Sequence, residues 1–157
     1  MKRFVKYFVL LVAVVLVTGC GKESAKESVK TCKLVSNDIA NGYKLESEYK
    51  IYSTGKTVDK VVTVETVTSE DESVLDYFNE YLDTTYKTYN ETYGGYTNKI
   101  TKDSGKVVSE TTIDYSAMDL KKYVSDNSSM ANFVNSDNKL LTEGVVSIYE
   151  TLGATCE

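Results

Sequence analysis

The chain of 157 residues contains no histidine. The commonest general base, proton shuttle and metal ligand is therefore missing, and carboxylates are the remaining route to acid–base chemistry. Asp114 and Asp119 are the most suggestive pair, at a predicted strand end and in the turn after it. A glycosidase needs two carboxyls roughly 5–9 Å apart in a cleft. The same positions also suit a turn cap and a first helical turn, and that is the preferred reading. Asp103 falls in a turn. Glu70-Asp71-Glu72 sits at a predicted helix start, where negative charge is favoured. Ser125-Asp126-Asn127-Ser128 and Ser136-Asp137-Asn138 are rich in oxygen but lack the spacing of a calcium loop. Zinc would have to be held by cysteines and carboxylates alone. Gly94-Gly95 reads as a helix stop, not a phosphate loop, and there is no nucleophile elbow or Ser-Lys signature. The expectation is no catalytic residue, no metal site and no cofactor. Tyr86, Tyr89, Tyr93 and Tyr96 are the candidates for ligand binding. Tyrosine offers flat area with a polar tip, suited to sugars or peptides, although the same spacing also suits a core edge.

The elements that must position these residues follow from periodicity. Tyr43, Leu45, Tyr49 and Ile51 alternate with Lys44, Glu46, Glu48 and Lys50, which predicts a half-buried strand over Tyr43–Tyr52. Ser53-Thr54-Gly55-Lys56 is a turn, and Val58–Val67 is the second strand of a hairpin. Its apolar residues fall on both faces, which suits a central strand. Ser69 with Glu72 forms a capping box before a helix whose stripe is Val74, Phe78, Tyr81, Leu82 and Tyr89, with Thr85 on the same side. Tyr96–Lys102 and Lys106–Tyr115 form a second hairpin around Asp103-Ser104-Gly105. One or two helical turns follow over Ser116–Val124. The polar stretch Ser125–Asn138 has Met130, Phe133 and Val134 as its foothold. Lys139–Leu152 carries Leu140, Leu141, Val145, Ile148, Tyr149 and Leu152 at helical spacing. Hairpin, helix, hairpin, helix with short connections predicts an α+β fold: an antiparallel sheet from two β-hairpins, a long helix after the first hairpin and a C-terminal helix.

The first six residues carry Lys2, Arg3 and Lys6 and no acid, and Tyr7–Val17 is an unbroken apolar run of 11 residues. A spanning helix needs roughly 20, so residues 1–19 read as a secretory signal. Val17-Thr18-Gly19-Cys20 resembles the bacterial lipobox, with Val and Thr where Leu and Ala or Ser are commoner. The resemblance implies cleavage before Cys20, diacylglycerol on its sulfur and a fatty acyl chain such as palmitate on the new amine. Two or more chains give a stable membrane anchor. Residues 20–40 read as the lipidated cysteine and a flexible tether, most evidently over Gly21–Lys30. Residues 41–157 read as a single extracytoplasmic domain. Loss of Lys2, Arg3 and Lys6 takes the formal charge from −5 to −8, and so acidic a chain argues against a nucleic-acid partner. Cys32 and Cys156 remain. In an oxidising compartment an even remainder reads as a disulfide closing a loop of more than about 100 residues. The alternatives are two unpaired thiols or a redox pair, the latter without Cys-x-x-Cys spacing.

A lipobox, a polar tether, a strand ending before Ser53-Thr54-Gly55-Lys56, a Tyr-bearing helix, the segment Ile113-Asp114-Tyr115-Ser116-Ala117-Met118-Asp119-Leu120 and a C-terminal helix closing on Leu152-Gly153-Ala154 together resemble the YehR-like lipoproteins. The likeness covers roughly residues 40 to 156. Members often end in Gly-Phe where this chain has Gly153-Ala154. The resemblance implies a small extracytoplasmic α+β domain and no particular reaction. The functional expectation is a non-enzymatic protein of the cell envelope, anchored to the membrane through lipid on Cys20 and facing outward, with an envelope protein or the cell wall as partner. The alternative is a protein binding a small ligand (sugar, peptide or metal) accessory to transport. A carboxylate-based hydrolase is the third reading.

Overall fold

The structure, a computed structural model, describes residues 25–157; the expected signal over 1–19 and Cys20 lie outside the described residues. Strand β1 spans Glu27–Asp38, β2 Tyr43–Thr54 and β3 Thr57–Ser69. Helix α1 spans Glu72–Tyr93, followed by β4 (Tyr96–Asp103) and β5 (Lys106–Asp114). Helix α2 (Leu120–Asp126), a 3-10 turn over Ser128–Phe133, α3 (Thr142–Thr151) and β6 (Thr155–Cys156) complete the order. The strands form one antiparallel sheet in the order β4-β5-β3-β2-β1-β6. The fold is α+β, with the two expected hairpins, the long helix and the C-terminal helix in place.

Residues 27–38 are not tether. They form β1, which pairs with β2 along its whole length, from Glu27 opposite Thr54 to Asp38 opposite Tyr43. This corrects the boundary drawn at residue 40. The strand is hard to see locally because its apolar residues do not alternate: Cys32 and Leu34 pack inward, while Val29 and Val35 lie exposed on the other side. Pairing with a strongly patterned neighbour decides its state. Cys32 is bonded to Cys156, which β6 holds directly opposite it.

One sheet face is covered. On β2 the inward residues are Tyr43, Leu45, Ser47, Tyr49, Ile51 and Ser53, the parity that alternation predicts. Outward, Lys44 pairs with Glu46 at 2.9 Å and Lys50 with Glu48 at 3.0 Å. A bulge between β2 and β3 sets Ser53 opposite Val58 and Tyr52 opposite Lys60, so Val58 and Val61 both turn inward. The inward residues make two clusters. One gathers Ile51, Val58, Val61, Leu140, Val145 and Cys32 under α3. The other gathers Val67, Leu75, Leu82 and Val107 under α1.

The helices differ from the sequence reading in register. Asp71 caps α1, accepting from the Ser73 amide at 2.8 Å. Ser69 instead donates to the Gly42 carbonyl at 2.7 Å and accepts from the Asp71 amide at 3.1 Å, so the expected capping box does not form. The buried residues of α1 are Leu75 and Leu82, with Phe78, Tyr86 and Tyr93 packed beside the clusters. Tyr81 and Tyr89, expected on the inward stripe, are exposed. Large residues surround this helix, and the sheet selects which of them is covered. Gly95 ends the turn at φ +78°, and a Cβ there would lie 2.5 Å from the Asp114 carbonyl. The final helix starts at Thr142, not Lys139, because Leu140 and Leu141 bridge extended to Val134 and Thr57. Gly144 lies against Phe133, whose ring leaves no room for a Cβ.

Candidate functional site

Between the two apolar clusters the inward face turns polar. Strand register sets Ser47, Glu65 and Ser109 in one row across β2, β3 and β5. Tyr49, Thr63, Thr111 and Asn98 form the next row. Ser109 and Thr111 donate to the Asn98 carbonyl oxygen at 2.9 and 3.0 Å. The Tyr86 hydroxyl reaches down from α1 and donates to Glu65 Oε2 at 2.7 Å. Ser47 is 4% exposed, and its Oγ has no hydrogen-bond partner. Tyr149 of α3 stacks on Tyr49 with ring centroids 4.1 Å apart.

The electrostatics follow from this placement. Burial pushes the Glu65 carboxyl above the ordinary carboxylate range, and the bond from Tyr86 offsets part of that rise. Burial also pushes Tyr86, Tyr149 and Tyr49 upward, and the Glu65 charge adds to each, so these phenols stay neutral. The inward-facing lysines are engaged elsewhere: Lys30 pairs with Glu143 at 3.3 Å and Lys102 with Glu72 at 2.6 Å. Glu65 makes no ion pair among the described residues.

The four tyrosines singled out in the sequence do meet. Tyr86 and Tyr96 are 6.3 Å apart, Tyr89 and Tyr96 5.5 Å, and Tyr89 and Tyr93 6.2 Å. Most of the group serves packing. Tyr96 is buried, Tyr93 meets Tyr123 edge-on and donates to Asp126, and Tyr86 is held by Glu65. Tyr89 alone of the four keeps a large exposed area. A different pair forms the outward aromatic face: Tyr77 is 60% and Tyr81 50% exposed, with near-parallel rings 5.8 Å apart. They border a surface pocket of about 520 Å³ with Tyr43, Val74, Phe78, Asn41 and Ser73. A larger hollow of about 750 Å³ at the same end is lined by turn residues and the solvated Lys44, Glu70 and Glu72.

The acids weighed for catalysis have local duties. Asp114 Oδ1 accepts from the Ser116 amide at 2.9 Å and its hydroxyl at 2.6 Å, which holds the carboxyl below its usual range. Asp119 caps α2 through the Lys122 amide at 3.0 Å. Asp103 closes β4 beside its turn. Asp126 pairs with Lys122, and Asn135 accepts from the Asp137 and Lys139 amides. No group of three or more metal-ligating His, Cys, Asp or Glu residues comes together among the described residues. Nor is any described helix long and apolar enough to cross a membrane.

Sequence reasoning missed Glu65 and Ser47. The signal was present: Glu65 shares the parity of Val61, Thr63 and Val67 on a strand of Val and Thr, which places an acid on the covered face.

Among solved structures the chain is similar to the YehR protein of E. coli, determined by NMR, at 19% identity and a TM-score of 0.51 over 84% of this chain and 91% of that one. The fold is YehR-like. An NMR structure of a protein from Streptococcus pneumoniae TIGR4 aligns over 100% of this chain and 99% of its own, at 16% identity and a TM-score of 0.48. At such identity the likeness to YehR concerns the fold and assigns no residue a role. No protein-family model and no curated protein matches the chain.

Proposed function

We propose that this chain is a lipid-anchored, non-enzymatic protein on the extracytoplasmic side of the cell membrane, which holds an envelope partner against the aromatic face of α1. The exposed Tyr77–Tyr81 pair and its pocket carry this reading. The anchor is supported by the lipobox-like Val17-Thr18-Gly19-Cys20 and by an apolar run too short to span. The Cys32–Cys156 bond suits an oxidising compartment. Engagement of Asp114 and Asp119 as caps supports the non-enzymatic part.

Geometry gives the reading a direction. Seven peptide steps from Cys20 to Glu27 reach at most about 25 Å, so the sheet stays close to its anchor. β1 enters beside the β2–β3 turn, at Glu27 opposite Thr54. Its 12 residues then run about 40 Å to the end where Tyr43 and Asn41 border the aromatic pocket. The aromatic face is therefore presented at the end away from the attachment point.

Two experiments test the two parts. Cys20→Ser should move the protein from the membrane fraction to the soluble extracytoplasmic fraction; unchanged membrane retention would refute the anchor. A photo-crosslinking phenylalanine at position 77 should trap an envelope component that the same probe at Lys99 does not, and Tyr81→Ser should abolish the adduct. Equal trapping at both positions, or none, would refute the aromatic face. A second reading, small-ligand binding, is favoured by the polar seam around Glu65.

A further inference from the structure

The seam lies where the helical layer divides. α1 lies over β3, β4 and β5, whereas α3 lies over β1, β2 and β3. β3 runs under both, and Glu65 is its residue at the division. Leu34 and Leu45, on the neighbouring strands of this face, are only partly covered, and so is Glu65 itself. Oxygen acceptors converge here. Tyr86 occupies Glu65 Oε2 and leaves Oε1 with free lone pairs. Ser47, the cross-strand neighbour of Glu65, holds a hydroxyl without a partner. Tyr49 and Tyr149 stack beside them. A carboxylate in such a place, with no cation of its own, is a costly arrangement for folding alone.

We propose that the Glu65 seam binds a primary ammonium group on an aliphatic stem, with Glu65 Oε1, Ser47 Oγ and a tyrosine oxygen accepting its protons. An ammonium has three donors and no acceptor, which suits a carboxylate oxygen and a cross-strand hydroxyl on one face with tyrosine hydroxyls beside them. The Tyr49 and Tyr149 rings add cation–π attraction, and Leu34 and Leu45 cover the stem. One carboxylate falls short of the six to eight oxygens that calcium takes, so an organic cation fits better than a divalent metal. The groups facing Glu65 are Tyr49, Tyr86, Tyr149 and uncharged hydroxyls, so the site's charge is that of Glu65 alone. The proposal deepens the small-ligand reading and does not depend on the aromatic face of α1.

The test is an amide-resolved NMR titration of the full chain in maltoside micelles at constant ionic strength. n-Butylammonium represents a free amine, Nα-acetyl-lysine-N-methylamide a lysine side chain, and n-butanol the uncharged stem. The expected result is saturable shifts at Ser47, Glu65, Tyr86 and Ser109 with an amine, at a dissociation constant of about 1 mM or tighter, and none with butanol. Glu65→Gln should weaken binding at least about tenfold, near 1.4 kcal/mol, and Ser47→Ala by a smaller factor. Saturation by n-butylammonium alone assigns a free amine, and by both probes a lysine-bearing chain as well. No saturation with either amine, equal affinity in Glu65→Gln, or an equal response to butanol would overturn the proposal. If Glu65→Gln does not fold, Ser47→Ala and Tyr86→Phe decide in its place: unchanged affinity in both overturns it. Loss of position-77 crosslinks would leave this result untouched, so the two readings fail separately.

Discussion

The two ends of the covered sheet face are built differently. At the end where β1 enters, α3, the 3-10 turn and the extended Leu140–Leu141 segment close over Ile51, Val58 and Val61, and midway along β1 the Cys32–Cys156 bond ties it to β6. At the far end a smaller cluster of Val67, Leu75, Leu82 and Val107 lies under one helix, and the outer side of that helix carries exposed tyrosines. The larger buried cluster thus lies at the end where β1 enters, and the exposed aromatic pair of α1 at the opposite end.

The comparison breaks first at the disulfide. The bond closes a loop with a sequence separation of 124. In the chain-entropy model, reducing it or replacing both cysteines by serine costs about 4–5 kcal/mol. Denaturant unfolding with and without reductant measures this, and a difference below about 1 kcal/mol would show that β6 and α3 are held without it. Leu75→Ala probes the other end. Leu75 is fully buried in the smaller cluster, so a loss of about 2–5 kcal/mol is expected. Hydrogen exchange should then show the amides of α1 and β4 opening ahead of those of β2 and α3; uniform loss would mean that the two ends unfold as one unit.

The smallest effect belongs to the seam between the ends. Glu65 has a raised carboxyl pKa in the folded protein, so the folded state binds the proton more tightly than the unfolded chain. Its contribution favours folding below the ordinary value of 4.5 and is lost as pH rises through the elevated value. Asp38, Asp71, Asp114 and Asp126 run the opposite way, since hydrogen bonds lower their pKa values and acid removes that stability. Comparing wild type with Glu65→Gln isolates the seam. The variant's stability relative to wild type should rise as pH rises from about 4.5 toward neutrality, by about 1.4 kcal/mol for every tenfold difference in proton affinity between the folded and unfolded states. A pH-independent gap would show that Glu65 is as well solvated folded as unfolded.

Much of this architecture was legible locally. β2 alternates cleanly because one face meets the core and the other meets water. Gly55, Gly105 and Gly94-Gly95 mark the turns because positive φ favours glycine. Even the disulfide followed from counting cysteines once Cys20 was set aside. Other features were not legible. β1 has weak alternation, and its partner strand supplies the missing information. On α1, Val74, Leu75, Tyr77, Phe78, Tyr81 and Leu82 offer several apolar stripes; the expected one included Leu82, and only the sheet beneath selects Leu75 over Tyr81.

By itself, then, the sequence determined the two hairpins, the long and C-terminal helices, the α+β class, the turn positions and the cysteine arithmetic, because these depend on short-range periodicity and backbone freedom. Tertiary structure alone decided that Glu65 and Ser47 become neighbours, that Tyr86 reaches Glu65, and that Tyr77 and Tyr81 face outward. Those outcomes depend on strand register and on which face a helix covers. A shift of one residue in register would send Glu65 to the open face of the sheet.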